Sequence, residues 1–186
     1  LGQPGLAFLQ HWAMRPLQFR VRFGRWEEIL ATAAPDTSLS HATGMWHYAW
    51  GRALAATGDL HGAREQLSLL EERVARAERA GVRMEFNESA DLLRIGARVL
   101  AGWIAVEEED LDGAVEELRD AVRLEDALLY GEPPEWSVPA RHDLGAVLLL
   151  AERWEEAEVT FREDLDRFPD NGWSLAGLAR ALEGQG

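Results

Sequence analysis

Four short segments of this 186-residue chain repeat one pattern, and this repetition constrains the fold more than any single residue does. Each segment has a Gly or Glu, a polar residue, a large apolar residue, two further residues and a small or aliphatic residue; the segments are 24–29, 58–63, 109–114 and 152–157. The first two copies end 34 positions apart, and the later gaps of 51 and 43 positions equal that period with insertions. A period of about 20–50 residues is typical of solenoids, in which one supersecondary unit stacks on the next.

A small residue stands twelve positions before the end of three of these motifs, and it is glycine each time: Gly51, Gly102 and Gly145. A side chain larger than Ala would separate two packed helices, so these positions predict close helix–helix contacts. Apolar residues follow the motifs at helical spacing, and strand signals are absent. We therefore predict an all-α chain, whose first helices cover 5–13 and 16–23.

These positions resemble the tetratricopeptide repeat family. In segment 44–70, the family's signature places hold Gly51, Gly58, Asp59, Leu60, Ala63 and Leu67. In segment 140–169, they hold Leu144, Gly145, Trp154, Ala157, Phe161 and Pro169. The sequence departs from the pattern at Ile29, Asp126 and Asp164. The strings 21–30, 45–51 and 171–179 are also similar to the C-terminal half of long bacterial proteins built from many such repeats.

The resemblance implies a right-handed solenoid of stacked antiparallel helical hairpins that forms a single array over residues 1–186. Its approximate units are 12–40, 41–80, 88–130 and 138–170, followed by a C-terminal capping helix at 172–186. The chain begins at Leu1 inside what resembles an incomplete repeat. We therefore interpret it as the C-terminal part of a longer protein.

The same register implies which side chains would recognise a partner. Trp103 and Trp173 fall at first-helix positions that face the concave groove in tetratricopeptide proteins. The other residues that this register places in the groove are Tyr48, Arg52, Glu107, His142 and Arg180. Aromatic anchors beside charged groups suit an extended peptide or a partner helix. The alternative also stays open, that this face packs against missing N-terminal repeats or a second copy of the chain.

The segment 130–139 departs most from a bare repeat. Two adjacent prolines stiffen it, and Tyr130 and Trp136 offer aromatic surfaces for stacking. Long ordered loops on solenoids are often functional, so we predict that these two side chains form a rim beside the groove. The alternative is a stiff connector that only spans two lengthened helices.

Composition excludes several classes of protein. With 19 basic and 33 acidic residues the net charge is −14, and such a surface repels nucleic-acid phosphates. The one basic cluster, at positions 15, 20, 22 and 25, is interpreted as a partner for the acidic remainder. No cysteine is present, no apolar run is long enough to cross a membrane, and no signal peptide is recognisable. We expect no membrane span and a cytoplasmic location.

No catalytic motif stands out. A Gly-x-Ser-x-Gly elbow and a phosphate-binding glycine loop are absent, and the five histidines lack metal-ligand spacing. The paired acids lie at helix starts, where they complement the helix dipole. We therefore predict a non-catalytic scaffold that binds a protein or peptide and holds no metal or cofactor. Two alternatives remain: a ligand or metal site built from His47, His142 and the proline loop, or a subunit of a larger enzyme assembly.

Overall fold

The computed structural model describes residues 6–186, and its regular secondary structure in that range is helical. Its helices are α1 (Phe8–Arg22), α2 (Trp26–Leu30), α3 (Ser40–Ala56), α4 (Leu60–Ala80), α5 (Ser89–Glu107), α6 (Leu111–Asp126), α7 (Ala140–Leu150), α8 (Trp154–Arg167) and α9 (Gly172–Gln185). The only β-type pairing within 6–186 is an isolated bridge between Arg83 and Glu88. The prediction of an all-α chain is confirmed over the described residues.

The repeated motif forms the turn between two helices, and its first residue has a left-handed backbone in all four copies. The φ angles are +62° at Gly24, +90° at Gly58, +63° at Glu109 and +55° at Glu152. Glycine adopts this conformation without a steric penalty, whereas glutamate does so at a cost of about 1 kcal/mol. All four copies therefore share a backbone requirement for a positive φ at this position. Only the first two copies meet it with glycine, the residue that adopts this conformation without strain.

Two copies of the motif also contain a helix cap. The Asp59 carboxylate accepts a hydrogen bond from the Gly62 N–H at 2.9 Å, and Asp110 accepts one from Gly113 at 2.9 Å. A Cβ atom on Gly113 would lie only 2.2 Å from an Asp110 carboxylate oxygen. The glycine thus leaves room for the aspartate to satisfy a backbone donor at the start of the second helix.

The helix backbones approach one another closely only between near neighbours in the chain. Every helix contacts the next one, and each odd-numbered helix also contacts the following odd-numbered helix, from α1 through α3, α5 and α7 to α9. In the described part of the chain, the even-numbered helices make no such contacts with one another. The odd-numbered helices therefore lie side by side in one layer.

Glycines set the close approaches in this packing. A Cβ atom on Gly102 would lie 2.7 Å from Leu118 of α6, and one on Gly145 would lie 2.4 Å from the Phe161 ring of α8. On Gly51 it would meet Leu100 of α5 at 2.5 Å. The predicted close contacts are confirmed, with the addition that Gly51 admits α5 as well as its hairpin partner α4.

The prediction of two helices at 5–13 and 16–23 is wrong over the described residues; Gly5 itself lies outside them. One helix, α1, runs from Phe8 to Arg22 with Pro16 inside it. Proline removes one hydrogen bond of the helix, but α1 buries Leu17 and Val21 in the core. Packing of this face overrides the local preference of proline to end a helix.

A buried histidine pair joins α1 to α3. His11 Nδ1 lies 3.1 Å from His41 Nε2, and His41 Nδ1 lies 2.9 Å from the Ser89 hydroxyl of α5. Each imidazole is 2% exposed. Burial lowers the pKa of His11 to about 4 and that of His41 to about 3, so both rings are neutral near pH 7.

The left-handed turn residues predict stabilising substitutions. Replacing Glu109 or Glu152 with glycine is expected to raise the free energy of unfolding by about 0.5–1 kcal/mol, because glycine relieves the steric cost of a positive φ. The matched control is Glu107→Gly, at the last residue of α5, where loss of helix propensity is expected to lower stability by a similar amount. Thermal unfolding followed by circular dichroism measures the three variants. If Glu109→Gly destabilised the protein as much as the control does, the steric cost assigned to the positive φ of Glu109 would be contradicted.

The histidine pair predicts a pH-dependent stability. Unfolded histidine takes up a proton near pH 6.5, whereas the folded pair does so only near pH 4 and 3, so the unfolded state binds more protons below pH 6.5. The free energy of unfolding should therefore fall as the pH drops from about 6.5 toward 4. Glu125, whose pKa burial raises to about 7, titrates in the opposite sense. The variant His41→Gln separates the contribution of His41 from that of Glu125. Between pH 7.5 and 5, its free energy of unfolding should fall by on the order of 2 kcal/mol less than that of the parent. Parallel curves from urea denaturation would refute this.

Candidate functional site

A cavity of about 640 Å³ lies where the five odd-numbered helices meet. This volume is within the range of about 300–1,000 Å³ that is common for ligand sites. Six of the seven predicted groove residues line it: Tyr48, Arg52, Trp103, His142, Trp173 and Arg180. The seventh, Glu107, is exposed at the end of α5 and does not line the cavity.

Helical spacing explains why these side chains converge. Tyr48 and Arg52 are one turn apart on α3, and Trp173 and Arg180 are two turns apart on α9. The helices α3 and α9 therefore each present two side chains to the cavity. The odd-numbered helices lie side by side, so the pairs from different helices meet in one cavity.

Asp143 links three of the helices that form the cavity. Its Oδ1 accepts a hydrogen bond from the Trp103 indole N–H at 2.7 Å and lies 3.3 Å from Arg52 Nη1. The Arg52 guanidinium also lies over the Trp103 ring, with its central carbon 4.5 Å from the ring centroid. Arg52 is 7% exposed, so its charge is paired and stacked away from water. Sequence reasoning missed Asp143, although its spacing of one residue from His142 and its place in the first turn of α7 were visible.

A second buried carboxylate, Asp164, joins α7, α8 and α9. It is 0% exposed and accepts hydrogen bonds from His142 Nε2 at 2.9 Å and from the Ser174 hydroxyl at 2.6 Å. Burial opposes ionisation, but these two hydrogen bonds outweigh it and hold the pKa of Asp164 below its usual value. This contact gives Asp164, which departs from the pattern of the resemblance, a structural role at the junction of three helices. Because Ser174 donates to the carboxylate and not to the imidazole, the three residues do not form a nucleophile–base pair.

The end of α1 contacts α9 across the mouth of the cavity. The Arg22 guanidinium lies 4.0 Å from the centroid of the Trp173 ring, and the Phe23 ring lies 6.3 Å from the same tryptophan. Burial lowers the pKa of Arg22, whereas the charges of Asp143 and Asp164 act in the opposite sense. The sequence had placed Arg22 only in a basic cluster, because nothing local indicates a partner 151 positions away.

Three buried polar groups of residues that line the cavity have no hydrogen-bond partner in residues 6–186: the Tyr48 hydroxyl, the Trp136 indole N–H and His142 Nδ1. Tyr48 is 5% exposed, and burial raises the pKa of its phenol. The Trp136 indole N–H is buried and unpaired, and the two rings pack edge to face with centroids 5.6 Å apart. Both residues line the cavity. Buried donors without an acceptor are rare in folded proteins, which marks this wall as a candidate contact for a ligand.

The segment 130–139 is attached firmly to the helices. The Glu135 carboxylate accepts backbone hydrogen bonds from Glu85, Phe86 and Asn87 at 2.7, 3.1 and 2.9 Å. Trp136, predicted at an exposed rim, is 4% exposed and belongs to the core. Tyr130 is 78% exposed, bonds Glu132 through its hydroxyl and lies outside the cavity.

The histidines proposed for a ligand or metal site have separate partners. His47 Nδ1 lies 2.8 Å from the Gln66 side-chain oxygen, whereas His142 bonds Asp164. Within residues 6–186, no three His, Asp or Glu side chains are grouped so that they could hold a metal ion.

None of the described helices combines the length and apolarity that a membrane crossing requires.

Comparison with known proteins gave no match. No protein-family model matches the chain, and neither the curated proteins nor the solved structures gave a significant similarity. The function must therefore be argued from the cavity itself.

The Asp143 link predicts a selective loss of stability. Asp143→Asn leaves the buried Arg52 guanidinium without a carboxylate, and the expected loss is about 1–3 kcal/mol in the free energy of unfolding. The matched control is Asp112→Asn, which removes a carboxylate that is 94% exposed and paired with Arg153; its effect should stay within about 0.5 kcal/mol. Urea denaturation of both variants is the measurement. Equal effects would show that Asp143 contributes no more than a surface ion pair.

Proposed function

We propose that this chain is a non-catalytic interaction module of the tetratricopeptide type, which binds an extended segment of a partner protein. The observation that carries the proposal is the cavity shared by α1, α3, α5, α7 and α9. It combines aromatic anchors, apolar walls and arginines, which is the composition of binding hot spots.

The packing pattern supports the finer description of the fold that this proposal uses. Close backbone contacts limited to next and next-but-one helices are expected for stacked helical hairpins, in which each unit touches only its neighbours. The four left-handed motif residues are expected for four equivalent turns. In a right-handed solenoid of this kind the odd-numbered helices are the first helices of the units, and their layer is the concave face.

The cavity is more favourable for a partner segment than for chemistry. Arg22 and Arg52 are engaged in stacking, Asp143 pairs with Arg52, and the one serine near the histidine donates to Asp164. Trp173 and Arg180 are exposed at its edge, so an incoming chain reaches them first. The alternative of packing against a second copy of this chain is an outcome of the test below.

The test is selection of peptides of about 12–16 residues from a display library on the immobilised chain, followed by fluorescence anisotropy. Trp173→Ala and Arg180→Glu are the diagnostic variants, because both side chains are exposed at the cavity and their loss leaves the core intact. Each is expected to weaken binding of the selected peptides about tenfold or more, as loss of a hot-spot contact does. Arg52→Glu is unsuitable, since it would place a second buried carboxylate beside Asp143.

The matched control is Arg79→Glu. It makes the same charge change on an exposed arginine of α4, away from the cavity, and should leave binding unchanged. Peptides bound equally by all variants, or a stable dimer in light scattering that Trp173→Ala dissociates, would overturn the proposal in favour of another surface or of self-association.

A further inference from the structure

The charge of the cavity is opposite in sign to that of the whole chain. Three arginines and one aspartate line it, in a chain whose net charge is −14. The single aspartate, Asp143, is already engaged by Arg52 and Trp103. Neither Arg22 nor Arg180 has a carboxylate partner among the described residues, although acidic residues outnumber basic ones across the sequence. A cavity of this kind attracts an anion and repels a cation.

Two of the three unpaired groups on the cavity wall, the Tyr48 hydroxyl and the Trp136 indole N–H, can donate hydrogen bonds. The third, His142 Nδ1, is an acceptor in the neutral ring, because His142 Nε2 donates to Asp164. The Trp136 indole can only donate, and the Tyr48 hydroxyl is free to donate.

The charges of Arg52, Asp143 and Arg22 all act on the Tyr48 phenol, so this hydroxyl lies among the charged groups of the cavity. Tyr48 and Trp136 are in ring contact, which places both donors on the same wall. An acceptor brought by a ligand would satisfy groups that the protein leaves unsatisfied.

We propose, on the basis of the proposed function, that the cavity takes a carboxylate side chain, an Asp or Glu of the partner segment. Tyr48 and Trp136 donate hydrogen bonds to it, and Arg22 supplies the compensating charge. The proposal rests on charge complementarity and on the two unsatisfied donors. It explains how a strongly acidic protein presents a site for an acidic segment.

Two further features narrow the ligand chemistry. Asp143 lies in the same cavity, and its negative charge opposes a dianion such as a phosphate ester more than a single carboxylate. Apolar side chains line the remaining wall, including Trp26, Val138 and Leu149. The preferred segment therefore has an acidic residue with large apolar residues beside it.

The experiment uses the peptides whose binding depends on Trp173 and Arg180. One carboxylate position should recur among them, and replacing that Glu by Gln, or Asp by Asn, should weaken binding about tenfold or more, as expected for a charged hydrogen-bond acceptor. Tyr48→Phe and Trp136→Phe keep the rings and remove one donor each. Each should weaken binding of the carboxylate peptide several-fold to tenfold and weaken binding of the amide peptide less, because the amide oxygen is an uncharged and weaker acceptor.

The matched control is Trp50→Phe. Trp50 also has a buried indole N–H without a partner, but it does not line the cavity. This variant should bind the carboxylate peptide as the parent does. In nitrogen-15 spectra, the Trp136 indole resonance should shift more with the carboxylate peptide than with its amide counterpart.

The failures of the two proposals are distinguishable. If no selected peptide depends on Trp173 and Arg180, the proposed function itself fails. If dependent peptides are found but carry neutral or basic anchors, or if Tyr48→Phe weakens the carboxylate and amide peptides equally, only the carboxylate assignment is overturned. Binding of free N-acetylglutamate as tightly as the peptide would overturn the partner segment as the source of the carboxylate.

Discussion

The structure depends on one backbone constraint, the left-handed residue that begins each turn of the repeated motif. This single conformation reverses the chain and starts the following helix at a fixed position, and it recurs at Gly24, Gly58, Glu109 and Glu152. Since helix backbones here approach closely only between near neighbours, the orientation at each turn determines which faces meet. The shared layer of odd-numbered helices, and the cavity within it, follow from four equivalent turns.

Buried polar contacts then fix the helices relative to one another in a way that apolar packing alone would not. Asp143 ties α3, α5 and α7 together, Asp164 ties α7, α8 and α9, and the pair His11–His41 ties α1 to α3. Each contact becomes costly if a helix rotates or slides, because a buried charge or donor then loses its partner. These contacts hold the walls of the cavity in one arrangement.

The sequence predicted the helical class and the close glycine contacts, because those features depend on periodicity. The resemblance to tetratricopeptide repeats selected the seven groove residues, six of which line the cavity. Tyr48 and Arg52 share a helix face by spacing alone, whereas their position in the groove was implied by the resemblance. The predicted position of Glu107 in the groove was wrong, because α5 ends at this residue and its side chain is exposed to solvent. The partners of Arg52 and Arg22 were not predictable, since Asp143 and Trp173 reach them only through packing of helices distant in sequence. Trp136 was misplaced because a proline-rich loop reads as exposed, whereas Glu135 anchors this one to three backbone donors.

The contact between Arg22 and Trp173 has a consequence for the order in which the chain folds. Close backbone packing between helices in the described residues is local in sequence, which favours fast formation of each hairpin and its neighbour. The cation–π contact instead closes a loop of 151 residues, so the loop entropy it opposes is large until the intervening helices are stacked. We therefore expect it to form after the intervening helices have stacked. Because the contact joins only the end of α1 to the start of α9, the mouth of the cavity can open without separating the helices of any hairpin.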